Sequence, residues 1–166
     1  MQDNSRIVCE DRDKFYKIMI VRLEGLLSSE SDWLANLSNA VALLYANLED
    51  INWAGFYFMK NGELVLGPFQ GKTACTRIKQ GKGVCGTAVV EMRTQLVPDV
   101  HLFPGHIACD CASNSEVVVP IIKEGTVYGV LDVDSPKTNR FDELDARYLQ
   151  LFVDKMNKYI DWRQIS

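Results

Sequence analysis

Between Asp13 and Ser28 the apolar residues Phe15, Met19, Leu23, Leu26 and Leu27 recur at three- and four-residue steps, the period of one helix face. A second stripe of Leu34, Leu37, Val41, Leu44 and Leu48 follows Ser31 and Asp32, either of which can cap it. Both helices are expected to pack on a sheet. The pattern then changes. Asn52 to Lys60 is aromatic-rich and strand-like, and Asn61-Gly62 leads into Glu63–Leu66 as a hairpin. Thr76 to Lys79 offers a short strand. After Gly81-Lys82-Gly83 a short helix is expected from Val84 to Met92, then an extended piece from Thr94 to Val97 that ends at Pro98. Residues 98–114 read as a long loop, and loops longer than about 12–15 residues in compact domains are commonly functional. Glu116 to Ile122 and Thr126 to Asp134 form a Val- and Ile-rich hairpin across Lys123-Glu124-Gly125. Asp142 caps a last helix with the stripe Leu144, Tyr148, Leu151, Phe152, Met156 and Tyr159. This order predicts an α+β fold, an antiparallel sheet flanked by helices, rather than a parallel βαβ array. No repeat or linker divides the chain, so a single domain over residues 1–166 is expected.

The composition supports that picture and narrows the function. Of 166 residues 47% are apolar and 24% charged, and a domain of this size buries roughly 70% of its unfolded surface without a disulfide or structural metal. The net charge is −4 and no Lys/Arg cluster stands out, so the phosphate-neutralising contacts of a nucleic-acid binder are missing. The first residues are polar, with Asp11, Arg12 and Asp13 ahead of any apolar run, which does not fit a secretory signal. No segment approaches the ~20 apolar residues of a membrane span. A cytoplasmic location is expected, where thiols stay reduced. The five cysteines, Cys9, Cys75, Cys85, Cys109 and Cys111, therefore have no evident structural task.

Several patterns carry candidate chemistry. Gly81-Lys-Gly-Val-Cys-Gly86 spells the dinucleotide fingerprint, but its surroundings look antiparallel and the fingerprint needs a βαβ unit. What remains is a turn opening a short helix, whose free N–H groups can hold a small carboxylate. His101, His106, Cys109 and Cys111 lie in one loop, with spacing that fits no common zinc pattern, so no metal is expected. Cys75, Cys85 and Cys109 lie in or beside glycine-bearing loops. Cys85 is near a helix N-terminus, where a thiolate is favoured, and Cys109 follows closely on a histidine. In Leu131-Asp-Val-Asp-Ser135, period two sends Asp132 and Asp134 to one face. That face is either solvated or lines a pocket, and in a pocket mutual repulsion and desolvation would raise their pKa values. Glu116 opens the neighbouring strand and would join them in a site for an amine or for proton delivery. Trp53, Gly55 and Tyr57 share a face by the same rule, as core or as an apolar pocket wall.

Chained together, these motifs resemble the free methionine-R-sulfoxide reductases, which are stand-alone GAF domains. The resemblance rests on Trp53-Ala-Gly-Phe-Tyr57, Leu66-Gly-Pro-Phe-Gln-Gly-Lys-Thr-Ala-Cys75 and Gly81-Lys-Gly-Val-Cys-Gly86. It continues through Val97-Pro-Asp-Val100, Pro104-Gly-His-Ile-Ala-Cys-Asp110, Ser115-Glu-Val-Val-Val-Pro120 and Gly129-Val-Leu-Asp-Val-Asp-Ser135. It implies a GAF-like antiparallel sheet of about six strands, a homodimer, and reduction of free methionine-(R)-sulfoxide to methionine. By position, Cys109 matches the nucleophile, Cys75 the resolving cysteine, and Cys85 a third cysteine that assists it. Glu116, Asp132 and Asp134 match acidic pocket residues, and Trp53 with Tyr57 the aromatic wall. Cys111 is an extra thiol two residues past the nucleophile.

The chemistry so implied is a thiol cycle. Glu116 and Asp134 polarise the S–O bond while Cys109 attacks sulfur. The resulting sulfenic acid condenses with Cys75, or in second place Cys85, and thioredoxin or a similar dithiol restores the enzyme, with no cofactor. Asp132, with Glu116 or Asp134, holds the α-ammonium, and Trp53 and Tyr57 seat the S-methyl group. The alternative is a GAF sensor module that binds a small molecule without chemistry. A sensor usually sits beside an effector domain and has no need of coordinated thiols.

Overall fold

The computed structural model describes residues 5–105 and 112–165. Helix α1 (Arg12–Ser28) starts where Asp11 accepts from the Lys14 N–H, and α2 (Trp33–Asn47) where Asp32 accepts from Ala35. These satisfy amide donors that the first turn of a helix leaves unpaired. Strands β1 (Trp53–Lys60) and β2 (Glu63–Gly71) form the expected hairpin, with Asn61 and Gly62 both at positive φ, as a tight two-residue turn requires. Then come β3 (Arg77–Lys79), α3 (Gly83–Glu91), β4 (Gln95–Val97) and a 3-10 turn at Val100–Leu102. Strands β5 (Ser115–Lys123) and β6 (Thr126–Ser135) precede α4 (Glu143–Tyr159). A reciprocal capping box between Asp142 and Asp145 fixes the start of α4, and a second 3-10 turn closes the chain at Trp162–Gln164.

The six strands form one sheet in the order β3-β2-β1-β6-β5-β4, and every pairing is antiparallel. Period-two alternation separates two cores. On one face Ala54, Phe56, Phe58, Val117, Val119, Ile121, Leu131 and Val133 pack with the buried stripes of α1, α2 and α4. On the other, Trp53, Tyr57, Val118 and Val130 pack with Val84, Cys85, Ala88 and Val89 of α3.

Some expectations are corrected. Strand β2 runs to Gly71 instead of ending at Leu66, because the register shifts opposite Gly55–Tyr57 and leaves Gly67-Pro68 in a bulge, where a proline costs no ladder bond. Helix α1 packs chiefly on α4 and α2, while α2 and α4 contact the strands more extensively. Leu34, Leu151 and Tyr159, assigned to helix stripes, are exposed. Their places are taken by Ala40 in α2 and by Leu149 and Val153 in α4. Among the described residues no helix is long and apolar enough to cross a membrane.

Candidate active site

The pocket lies on the α3 face, at the end of the sheet where β1, β5 and β6 meet, and sheet register builds it. Trp53 pairs with Asp134 and Gly55 with Asp132 across β1 and β6; Glu116 pairs with Asp134 across β5 and β6. Directly opposed residues point to the same side of a sheet. Glu116, Asp132 and Asp134 therefore converge, and their carboxylate oxygens lie within 4.8 Å of one another.

The aromatic wall is equally local in origin. Trp53 stacks on Tyr57 with ring centroids 5.9 Å apart and on Phe69 at 5.4 Å. A Cβ at Gly55 would collide with the Trp53 indole and with Phe69, so glycine there makes room for the ring to lie across the strand. The polar tips of the two rings reach the segment after β2. Trp53 Nε1 donates to the Lys72 carbonyl at 3.1 Å, and the Tyr57 hydroxyl donates to the Cys75 carbonyl at 2.9 Å. The wall thereby anchors the segment that carries Cys75, whose neighbours Thr73 and Ala74 line the pocket.

Helix α3 closes the opposite side. Lys82, Gly83, Val84 and Cys85 line the pocket, so the first turn of α3 opens into it, and Lys82 makes no side-chain capping bond. The fingerprint glycines serve the turn and its packing on β3. Gly81 and Gly83 adopt positive φ, and a Cβ at Gly86 would strike the Lys79 carbonyl. The flanking β3 and β4 belong to antiparallel pairings at opposite edges of the sheet, so no dinucleotide-binding βαβ unit exists here.

The electrostatics are unusual for carboxylates. Glu116 is 6% and Asp132 8% exposed. Burial, then repulsion from Asp134, pushes Glu116 well above the usual range. Burial, then Glu116, pushes Asp132 up to about 8. Neither finds a cationic partner among the described residues, and Asp132 Oδ1 is buried with no hydrogen-bond partner. The Cys85 Sγ donates to Asp132 Oδ2 at 3.3 Å. Its surroundings reverse the expectation of a stabilised thiolate: burial, then the charges of Asp132 and Glu116, pushes the Cys85 thiol up. Burial beside acids outweighs the helix N-terminus. Tyr57 is likewise pushed up, by burial and then by Asp132.

The pocket thus gathers Trp53, Tyr57, Cys85, Glu116, Asp132 and Asp134. Cys75 is half-buried beside it. Cys109, His106 and Cys111 lie outside the described residues. His101 sits on the surface with its Nδ1 2.9 Å from Asp99. Cys9 and Cys85 are the free thiols among the described residues. A pocket residue, Ser113, and its neighbour Asn52 carry no signal of their own in the sequence. Ser113 donates to Asp134 Oδ2 at 3.1 Å, and Asn52 Nδ2 donates to Ser113 Oγ at 3.0 Å. No motif marks either one. Hairpin register, which carries the residues flanking β1 and β5 towards Asp134, was the signal available.

Residues 22–160 match the GAF domain family, and the antiparallel sheet with a pocket between strands and a short helix is a GAF domain. The chain is 53% identical to Protein YtsP of Bacillus subtilis, covering 89% of this chain and 92% of that protein. It is 48% identical to the free methionine-R-sulfoxide reductase of Escherichia coli, over 90% and 91% of the two chains. The structure of free methionine-R-sulfoxide reductase from Neisseria meningitidis in complex with its substrate matches with a TM-score of 0.91 and 40% identity, covering 100% of both chains. Within the GAF domains, this chain belongs to the free methionine-R-sulfoxide reductase family, a family of oxidoreductases.

Proposed function

We propose that this protein reduces free L-methionine-(R)-sulfoxide to L-methionine by a thiol cycle. The observation that carries this reading is the trio of acids, two of them deeply buried, facing an aromatic wall beside an open helix N-terminus. Such a site complements a zwitterion with a methyl-sulfoxide end. The α-ammonium supplies the cation that the carboxylates lack, with Asp132 and one neighbouring acid as its holders. The α-carboxylate suits the N–H groups of the first turn of α3, reinforced by Lys82. Trp53 and Tyr57 seat the S-methyl group.

A sulfoxide sulfur becomes electrophilic when its oxygen takes a proton or a strong hydrogen bond. Glu116, with Asp134 beside it, polarises the S–O bond directly or through a bound water. The Cys109 thiolate attacks sulfur, the oxygen ends on Cys109 as a sulfenic acid, and methionine leaves with its sulfur reduced. The Cys75 thiol then displaces that oxygen as water and a disulfide forms. The raised pKa of Cys85 suits a reserve thiol more than an attacking one. A dithiol protein such as thioredoxin returns the pair to thiols. Action in the cytoplasm, as a homodimer, belongs to the same reading.

The test is incubation with racemic free methionine sulfoxide and dithiothreitol, followed by chiral chromatography. Loss of the R epimer with matching methionine is expected. An unchanged epimer ratio, with binding seen by calorimetry, assigns a ligand-binding GAF module and overturns the enzyme reading.

A further inference from the structure

The acid cluster poses a question that the reductase reading leaves open: which carboxyl carries the proton and which the charge. Three carboxylates within 4.8 Å cannot all ionise in a buried site. A hydrogen-bond chain that enters the cluster from outside has a fixed direction. Asn52 Nδ2 bears only donor hydrogens, so at 3.0 Å the Ser113 oxygen accepts from it. The Ser113 hydroxyl hydrogen is thereby aimed at Asp134 Oδ2, 3.1 Å away. An oxygen that accepts this hydrogen favours the ionised carboxyl.

The chain is anchored at each end. The Asn52 N–H donates to the Asp134 carbonyl at 3.0 Å, which ties the start of β1 to the strand that bears the acid. Next to Ser113, the Asn114 N–H donates to the Ser135 carbonyl, its side chain donates to the Pro136 carbonyl, and its own carbonyl accepts from Val100. Ser113 is buried and lines the pocket.

We propose that Asn52 and Ser113 are positioning residues that hold Asp134 as the anionic member of the cluster, so that the proton needed at the sulfoxide oxygen rests on Glu116. The charge of Asp134 is itself a cause of the raised Glu116 pKa, and a hydrogen bond joins Asp134 to Asp132. Glu116 lies opposite on β5 and Asp132 lies on its own strand, both with raised pKa values; α3 presents the Cys85 thiol and Lys82, and β1 presents Tyr57. One anion in the cluster matches one α-ammonium in the substrate. This inference rests on the reductase reading and narrows it. Asp134 becomes the ammonium partner, and Glu116 the acid that protonates the oxygen as Cys109 attacks.

The test compares wild type, Ser113→Ala, Ser113→Thr and Asn52→Ala by two readouts. The first is the pH dependence of kcat/KM for free methionine-(R)-sulfoxide. The second is titration of the Asp134 carboxyl carbon by NMR on 13C-aspartate-labelled protein, assigned through Asp134→Asn. Loss of the serine hydroxyl removes a donor from the ionised carboxyl, so the acidic limb and the Asp134 titration should both move to higher pH, by about one pH unit. Threonine should restore them, and Asn52→Ala should shift them the same way by less. Coincident titrations in wild type, Ser113→Ala and Asn52→Ala overturn the proposal, as does an Asp134 that stays protonated at pH 7 in the wild type. Should Ser113→Ala fail to fold, the threonine and Asn52 variants decide. A wild-type protein without turnover would instead sink the reductase reading, and the carbon titration would still judge the Asn52–Ser113 chain.

Discussion

The two faces of the sheet are made by the same strands and serve opposite ends. Under α1, α2 and α4, β1, β5 and β6 present Phe56, Val117, Val119, Leu131 and Val133, an unbroken apolar layer. Under α3, the intervening positions present Trp53, Tyr57, Val118 and Val130 together with Glu116, Asp132 and Asp134. Burial on the first face contributes roughly 1.5–3 kcal/mol per large side chain. On the second, burying carboxylates costs free energy and shows itself as raised pKa values. Alternation lets one face hold the fold while the other carries the cost of buried carboxylates.

The largest expected effects belong to the proposed chemistry. Cys109→Ser should abolish turnover, whereas Cys75→Ser should release one methionine per enzyme and then stop, as rapid-quench counting of methionine would show. Glu116→Gln should lower kcat by about 10²–10⁴-fold, the usual contribution of a positioned acid, while the far-ultraviolet spectrum stays near wild type and the unfolding midpoint at neutral pH does not fall. Phe56→Ala on the opposite face should reverse that pattern. It should cost about 3–5 kcal/mol of stability by chemical denaturation, without the specific loss of chemistry per folded molecule.

Subtler is the pH dependence of stability. Asp132 sits near 8 in the folded protein and near 3.9 when unfolded. Between these values the folded chain binds more protons, so stability should fall as pH rises from about 4 to 8. Asp132→Asn should flatten that slope in denaturation curves at pH 5 and pH 8; an unaltered slope would remove Asp132 as its source. The smallest effect belongs to Tyr57→Phe, which deletes the hydrogen bond to the Cys75 carbonyl. A loss of about 1 kcal/mol and slower disulfide formation in stopped-flow thiol assays are expected.

Much of this was legible because register follows from simple rules. Asn61-Gly62 and Lys123-Glu124-Gly125 mark both hairpins, the second tightened to Glu124-Gly125 by the Lys123–Thr126 pair, and period two then brings Asp132 and Asp134 to the face of Trp53 and Tyr57. Features that depend on contacts between distant segments were not legible. The bulge at Gly67-Pro68 extends β2 past Leu66, where the apolar pattern ends. The Cys85 thiol, read from its own helix, looked activated; the acid across the pocket on β6 makes it the reverse. Asn52 and Ser113 lie 61 positions apart and meet only when β6 lies between β1 and β5.

The central claim is that the buried acids and the open helix end recognise a free zwitterion. It is tested most directly by comparing kcat/KM for free L-methionine-(R)-sulfoxide with that for the same residue acetylated at its nitrogen and amidated at its carboxyl. The capped form lacks both charges and leaves the acids unmatched, so a loss of about 10⁴-fold or more is expected. Equal values for the two substrates would contradict the account.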